Sequence, residues 1–289
     1  MGNREGAAVA GRRRVTNTVM TAMIFVAVVL ALIPLVLIIG DVVFLGYPAL
    51  SVSFLTGLPQ GPLVIGGVAN AIEGSVVMVA LASAIAVPVG VGAGIYFSEW
   101  PESRVSFLSS FTNDVLAEFP TITLGIFVYI IIVAPTRTFS AVAGATALAI
   151  VMLPIVARTT EESLKIVPVS LREASMALGI PRWKTILKIV IGTGRGGLAT
   201  GVLLAVARAA GETAPLILTA LYSNFLIKSL WQPTGSLPYL IYYYGGSSFQ
   251  ELQTAAWGAA LILVAFMLVL NLSVKFFIGR RFAGVRAEI

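Results

Sequence analysis

The sequence contains no cysteine and no histidine, and only 11% of its 289 residues are charged. The missing cysteines exclude disulfides and thiolate chemistry, and without histidine a Cys/His metal site is excluded as well. Catalysis that depends on an imidazole base is excluded for the same reason. Ordinary soluble domains carry about 25% charged residues, so the low charge indicates a different environment. No residue pattern indicates a catalytic site, a metal site or a cofactor on this chain.

Long apolar runs take the place of the missing charge. Hydrophobic residues make up 58% of the chain, and a helix that crosses a bilayer needs about 20 mostly apolar residues in a row. Six segments meet this requirement, namely residues 19–40, 74–97, 115–134, 140–157, 198–222 and 255–278. The sequence therefore predicts an all-α, polytopic membrane helix bundle with six transmembrane helices in contact with lipid.

The basic residues are distributed unevenly around these segments. Cytoplasmic segments of membrane proteins are rich in Lys and Arg, so we place the arginine-rich N-terminus inside. Six spans then put both termini in the cytoplasm and leave only Arg137 and Lys228 in outer segments. The inner basic residues are Arg4, Arg12, Arg13, Arg14, Arg104, Arg158, Lys165, Arg172, Arg182, Lys184, Lys188, Arg195, Lys275, Arg280, Arg281 and Arg286. Since these residues flank apolar spans and form no soluble patch, nucleic-acid binding is not expected.

This orientation predicts a simple domain organisation. A cytoplasmic N-terminal tail covers residues 1–18, and a six-span membrane domain covers residues 19–278. A large cytoplasmic loop, residues 158–197, lies within that domain, and residues 279–289 form a cytoplasmic C-terminal tail.

The loop of residues 158–197 has the signals of two short helices joined by a turn. Ser170 and Glu173 have the spacing of a capping box, which predicts that a helix starts at Ser170. Gly179, followed by Pro181, predicts the end of that helix and the start of the next. The result is an elbow on the cytoplasmic face. Glu173 has two open interpretations, a cap of its own helix or a contact for a partner protein.

The elbow also resembles the EAA loop of ABC importer permeases. Glu173-Ala174-Ser175 and Gly179 carry the resemblance, together with Ile189 ten residues further on. It implies that Glu173, Ala174, Gly179 and Arg182 couple the chain to an ATPase dimer, which would bind ATP and Mg²⁺. The family pattern usually ends Ile-x-Leu-Pro, and this chain departs from it with Ile-Val-Ile-Gly. The chain has no Gly-x-x-x-x-Gly-Lys-Ser/Thr loop, so ATP hydrolysis is expected on the separate ATPase.

Two ionised residues interrupt the fifth apolar segment. Arg208 lies ten residues after Leu198, about 15 Å along a helix, and Glu212 lies one turn further on the same face. Charged residues in spans usually face a protein interior or a cavity. Either the pair is a self-neutralising clamp between helices, or Arg208 lines the pathway of an oxyanion. In the second case Glu212 sets the arginine rotamer and Thr213 adds a hydroxyl. A guanidinium suits phosphate because its donors can bind bidentately.

Residues 208–215, Arg-Ala-Ala-Gly-Glu-Thr-Ala-Pro, resemble the signature of the phosphate-specific group of these permeases. Further matching residues are Pro88-Val89-Gly90, Gly94-Ile95-Tyr96, Glu99, Pro120-Thr121, residues 125–129 and Pro238-Tyr239. The resemblance implies a type I ABC importer permease-like fold in the prokaryotic inner membrane. It also implies a phosphate importer with a second permease subunit, an ATPase dimer and an extracytoplasmic phosphate-binding protein. The alternative is a stand-alone secondary oxyanion transporter or channel, which needs no elbow for an ATPase.

Three acidic residues and a group of aromatic residues have less specific interpretations. We interpret Asp114 and Glu118 as solvated at the inner end of the third span, and Glu73 as solvated at the outer end of the second. The outer loop after Ser223 contains Trp231 and four tyrosines. Such aromatics suit the membrane–water interface, either on a short interfacial or re-entrant helix or as a simple anchor.

Overall fold

The computed structural model describes the backbone of residues 2–283 and the side chains of residues 13, 14 and 16–272. The side chains of residues 1–12 therefore lie outside the described residues. Most of the predicted C-terminal tail, residues 279–289, lies outside them as well. Helices form the regular structure of the described backbone. They are α1 (Gly2–Gly46), α2 (Val52–Thr56), α3 (Ala69–Glu99), α4 (Arg104–Glu118), α5 (Thr121–Val128), α6 (Ala134–Thr136), α7 (Ala141–Lys165), α8 (Val169–Ala177), α9 (Arg182–Lys184), α10 (Ile191–Ala210), α11 (Ala214–Ile217), α12 (Leu237–Gly245) and α13 (Gln250–Ala283).

Three further turns extend these helices. A 3₁₀ turn, Tyr47–Ala49, follows α1. The π-helical turn Tyr129–Val133 joins α5 to α6, and a second π-helical turn, Thr185–Val190, joins α9 to α10. Both π-helical turns keep the chain helical, so Thr121–Thr136 and Arg182–Ala210 each form one continuous stretch.

The described residues contain five candidate spans, and a sixth if a bent helix pair is counted as one span. Five are unbroken stretches, namely Thr16–Ala49, Ala69–Glu99, Ala141–Lys165, Arg182–Ala210 and Gln250–Leu272. The sixth is the bent pair of Arg104–Glu118 and Thr121–Thr136. The prediction of an all-α bundle of six membrane helices is confirmed, with two of the spans placed differently.

The third span is not the single helix predicted over residues 115–134. The chain bends by 106° between α4 and the stretch Thr121–Thr136. Phe119 is extended at the bend, with φ −67° and ψ 136°, because the following Pro120 disfavours helical backbone in the residue before it. Asp114 and Glu118 lie exposed on the α4 side of this bend.

The fifth span, predicted over residues 198–222, begins and ends earlier. Its helical stretch runs from Arg182 to Ala210, 29 residues, so the short helix predicted after Pro181 continues directly into the span. The connection between α7 and α9 is therefore residues 166–181, with α8 inside it. At the other end Gly211 interrupts the helix and α11 starts afresh at Ala214. Arg208 consequently lies in the last turn of α10 and not in the middle of a continuous helix.

Helices α3 and α7 pack against each other at the centre of the bundle. Their shared core includes Met78 from α3 and Leu148 and Met152 from α7, all fully buried. Ala205 and Ala209 from α10 complete this core from one side. One face of α10 is thereby fixed against the centre of the molecule, which determines where its opposite face points.

The outer end of α3 is tied to the loop between α11 and α12. Asn70 donates a hydrogen bond to the Ser223 carbonyl. The Glu73 carboxylate accepts one from the Ile227 amide at 3.0 Å, and the Ser75 hydroxyl accepts one from the Leu237 amide at 2.8 Å. Glu73 is half-buried, and besides any contact with solvent it helps to hold the outer loop in place, which its interpretation as a solvated residue did not include.

A short helix, α12, lies in the outer loop. Of the two alternatives for the aromatic residues of this loop, a short helix or a simple anchor, the structure has the helix. The rings of Tyr239 and Tyr243 stack in sequence onto Tyr222, with centroids 5.6 Å apart for Tyr222 and Tyr239. The Tyr222 hydroxyl lies 3.1 Å from that of Tyr244. Burial and this hydrogen bond raise the pKa of Tyr222, so its hydroxyl stays neutral.

Candidate functional site

Arg208 and Glu212 form an ion pair at the end of α10. Arg208 Nε lies 3.5 Å from Glu212 Oε1, and the side chains are 55% and 14% exposed, respectively. Although α10 ends at Ala210, the backbone continues for one more turn. The Gly211 amide donates to the Arg208 carbonyl at 3.1 Å and the Glu212 amide to the Ala209 carbonyl at 3.2 Å. This turn keeps the pair together across the end of the helix.

The face of α10 that carries Arg208 is open in this chain. Exposed residues recur along it at helical spacing and include Thr200, Leu204 and Arg208. The neighbouring strip of the helix, with Gly201, Ala205 and Ala209, is buried. Arg208 therefore points away from the core of its own chain.

The ion pair is formed within one stretch of the chain. Both residues belong to one segment of the backbone, and within the described residues Glu212 is the ion-pair partner of Arg208. No hydrogen bond joins the Thr213 hydroxyl to either ionised group among the described side chains. Thr213 instead begins α11, where its carbonyl accepts from the Leu216 amide at 3.1 Å.

The segment after the pair is held by close packing against α5. A Cβ added to Gly125 would lie 2.8 Å from Pro215 Cα, a distance that side chains do not tolerate without movement. Gly125 thus allows α5 to approach Pro215 closely. Two motifs that lie 90 residues apart in the sequence are in contact, and this contact fixes the position of the chain just beyond Glu212.

The elbow is built largely as the sequence predicts, with one difference. Helix α8 begins at Val169 after Pro168, and no side chain caps it. The predicted capping box of Ser170 and Glu173 is therefore wrong, because Ser170 lies one residue inside the helix. Gly179 has φ +78°, a conformation that favours glycine, and the next helix begins at Arg182 after Pro181.

The outer surface of the elbow is strongly apolar. Glu173 and Ala174 are exposed. So are large apolar side chains on both sides of the turn, namely Val169, Met176, Leu178, Trp183 and Leu187. Exposed apolar side chains of this size suit contact with lipid or with another protein. Since Glu173 makes no cap, it is available to a partner.

The inner surface of the elbow is bound to the end of α3. The Arg172 guanidinium forms an ion pair with Glu99 at 3.1 Å. Arg182 donates to the Glu99 carbonyl at 2.7 Å, and its guanidinium carbon lies 4.8 Å from the centre of the Trp100 ring. No pattern in the sequence points to the contacts made by Arg172 and Trp100. The sequence indicates Glu99 only as part of a resemblance, because no local pattern links residues 73 or 83 positions apart.

Residues 86–282 match the family described as the binding-protein-dependent transport system inner membrane component. The chain belongs to this family. Membership identifies an inner-membrane permease of a multi-component transport system, and it decides against the stand-alone transporter or channel that the sequence left open. The permease is a membrane subunit of a transport system.

Several relatives of the permease are similar over almost their whole length. The phosphate transport system permease protein PstA of Pasteurella multocida is 38% identical over 270 residues, which cover 93% of this chain and 96% of the relative. The PstA protein of Haemophilus influenzae is 40% identical, with 92% and 94% covered. PstA 1 of Mycobacterium tuberculosis H37Rv is 39% identical, with 93% and 91% covered.

A solved structure establishes the fold of the permease. The MetNI methionine ABC transporter, in an inward-facing conformation, matches with a TM-score of 0.61 at 17% sequence identity. The match covers 73% of this chain and 95% of the other. It confirms the predicted type I ABC importer permease-like fold.

Proposed function

We propose that this permease is the PstA-like subunit of an ATP-driven importer of inorganic phosphate and forms half of its translocation pathway. We propose phosphate as the substrate because the relatives, which are 38–40% identical to this chain, are named as phosphate transport permeases. The pathway role rests on one observation, the half-exposed guanidinium of Arg208 on the open face of α10. A second, PstC-like permease covers that face and supplies the other half of the pathway.

The geometry of the ion pair suits brief binding of an anion. Glu212 approaches the Nε side of the guanidinium, which leaves the two terminal nitrogens to donate hydrogen bonds to phosphate oxygens. Because Glu212 neutralises most of the arginine charge, the site holds an anion weakly. Conduction requires binding that is favourable enough for entry and weak enough for release. In this proposal Glu212 positions Arg208, and Thr213 lies at the adjacent turn.

The elbow is proposed as the docking site of the ATPase. Glu173 and Ala174 face the partner together with the exposed apolar side chains around them, and Gly179 provides the tight turn between the two arms. Arg182 stabilises the second arm from behind. The PstB-like ATPase dimer binds ATP and Mg²⁺, and an extracytoplasmic, PstS-like protein delivers phosphate to the outer face.

The experiment is purification of the tagged permease from its native membrane in mild detergent, combined with uptake in cells that lack the chromosomal copy. We expect an ATPase and a second permease to be recovered with it, and uptake of radioactive phosphate that excess sulfate or molybdate does not reduce. Recovery of the permease alone in several detergents would contradict the complex. Competition by sulfate or molybdate would contradict the substrate and leave the complex intact.

A further inference from the structure

Helix α3 grips the elbow at its inner end and the outer loop at its other end. We infer that α3 transmits movement of the docked ATPase to the outer face of the permease. We call Glu99 and Trp100, the two residues at its inner end that contact the elbow, the inner grip. The inference rests on the proposed function, because it assumes that the ATPase moves the elbow. The residues that it names hold the elbow in position, and they lie at the end of a helix that is not part of the exposed docking surface.

The first contact of the inner grip is made by Arg172. Its Nε and Nη2 both lie 3.1 Å from Glu99 Oε1. The same guanidinium donates to the carbonyls of Val167 at 2.6 Å and Leu164 at 2.9 Å. Arg172 therefore joins α8 to the ends of both α3 and α7. The ion pair is well shielded, since the side chains of Arg172 and Glu99 are 16% and 5% exposed.

The second contact is made by Arg182 on the other arm of the elbow. Its bond to the Glu99 carbonyl and its position over the Trp100 ring attach α9 to the same two residues. The Trp100 ring in turn stacks on Tyr96, with centroids 5.6 Å apart. Both arms of the turn at Gly179 are thus bound to the inner end of α3.

The elbow itself is stiff enough to move as a unit. The hydroxyls of Ser175 on α8 and Thr185 beyond α9 are buried and lie 2.8 Å apart. This bond bridges the two arms directly. A displacement of the docking surface is therefore passed to the inner grip, and is not absorbed by opening of the turn.

The outer grip is the set of three hydrogen bonds that α3 makes with the outer loop through Asn70, Glu73 and Ser75. The helix between the grips has 31 residues, about 46 Å at its regular rise. It packs on α7 along its length, where glycines bring the two helices close. A rigid element with bound ends on both faces is a physical route for coupling.

The test compares two acidic residues that lie three positions apart. Glu99→Gln weakens the inner grip, whereas Glu102→Gln changes an exposed carboxylate that has no ion pair or hydrogen bond among the described residues. For Glu99→Gln we expect the ATPase to remain bound and phosphate uptake to fall about tenfold, a typical size for a coupling between sites. Glu102→Gln should leave uptake unchanged. Arg172→Lys should give an intermediate loss, because one ammonium keeps the charge but cannot reproduce the geometry of all three hydrogen bonds of the guanidinium.

Normal uptake in Glu99→Gln would overturn the inference. Loss of the ATPase from Glu99→Gln would also overturn it, since the residue would then serve docking. Uptake by the unchanged permease tests the proposed function separately. If the unchanged permease takes up no phosphate, the proposed substrate is wrong. The role of α3 can then be tested without transport, by measuring the distance between α3 and the elbow.

The distance measurement uses the absence of cysteine from the chain. Spin labels on the paired substitutions Glu102→Cys and Lys184→Cys report the separation of α3 and the elbow in the purified complex, with and without ATP. We expect one narrow distance distribution in both states and a broader one when Glu99→Gln is added. An equally narrow distribution in the Glu99→Gln background would show that the grip does not hold the elbow.

Discussion

At the scale of single residues, Arg208 carries the clearest prediction. Arg208→Gln keeps a polar side chain but removes the charge and the paired donors. A hydrogen bond to a charged group contributes about 1.5–3 kcal/mol, so uptake should fall by about 10- to 100-fold. The complex should still assemble, because the arginine lies off the core of its own chain. Uptake and co-purification measure the two outcomes, and Arg104→Gln on the exposed start of α4 is the matched control.

A second variant separates a pathway residue from a structural clamp. Exchanging the pair, as Arg208→Glu with Glu212→Arg, retains one positive and one negative group at the same spacing. A clamp would be restored by this exchange, whereas a pathway would lose its guanidinium from the position where the anion binds. Normal uptake in the exchanged variant would therefore contradict the pathway role.

The contacts that can be predicted from the sequence are those between residues a few positions apart. The contact of Arg208 with Glu212 follows from a separation of four residues, and it persists even though the helix ends between them. The left-handed turn at Gly179 follows in the same way from a glycine before a proline. The contacts of Glu99 with Arg172 and Arg182 depend on how α3 and the elbow pack, and no local pattern encodes that.

At the scale of helices, the close packing of α3 on α7 gives a prediction with an internal control. A Cβ added to Gly94 would lie 2.5 Å from Thr160 Cβ, whereas one added to Gly92 meets nothing within 4 Å. Gly94→Ala should destabilise the permease by about 1–3 kcal/mol through overpacking. Gly92→Ala should be neutral or stabilising by up to about 1 kcal/mol, because alanine favours helix over glycine.

Thermal unfolding of the detergent-purified permease measures both glycine variants. Equal midpoints for Gly94→Ala and Gly92→Ala would contradict the close contact between α3 and α7. The comparison is well matched, since both positions lie in the interior of one helix and differ in what surrounds them. Gly92 is exposed and Gly94 is buried.

The helices also show where hydropathy misplaces boundaries. Apolar runs predict that membrane helices exist, and all six predicted spans correspond to candidate spans of the structure. The breaks at Phe119–Pro120 and at Gly211 lie inside apolar runs, so hydropathy continues across them. Lys184 and Lys188 lie within the helical stretch Arg182–Ala210, and their charges made its first turns resemble a separate cytoplasmic helix. Proline and glycine mark these boundaries more accurately than composition does.

At the scale of the whole molecule, several faces of the bundle are left uncovered by this chain. The span formed by α1 has none of its most apolar window buried inside this chain, and it packs mainly against α13 near Trp257. The Arg208 face of α10 and the outer surface of the elbow are open as well. Composition predicts the membrane location and family resemblance predicts the partners. The positions of the uncovered faces, which lipid and the proposed partners would cover, emerge only when the helices are packed together.

The orientation of the permease is the last property that can be tested directly. Inner segments contain 16 basic residues and outer segments two, which places Lys228 outside and Lys184 inside. Because the chain has no cysteine, Lys228→Cys and Lys184→Cys each introduce a single thiol, and both positions are exposed. A membrane-impermeant maleimide added to intact spheroplasts should label Lys228→Cys alone. Lys184→Cys should react only after the membrane is opened, whereas a permeant maleimide should label both. Labelling of Lys184→Cys from outside would invert the orientation and place the elbow where no ATPase could reach it.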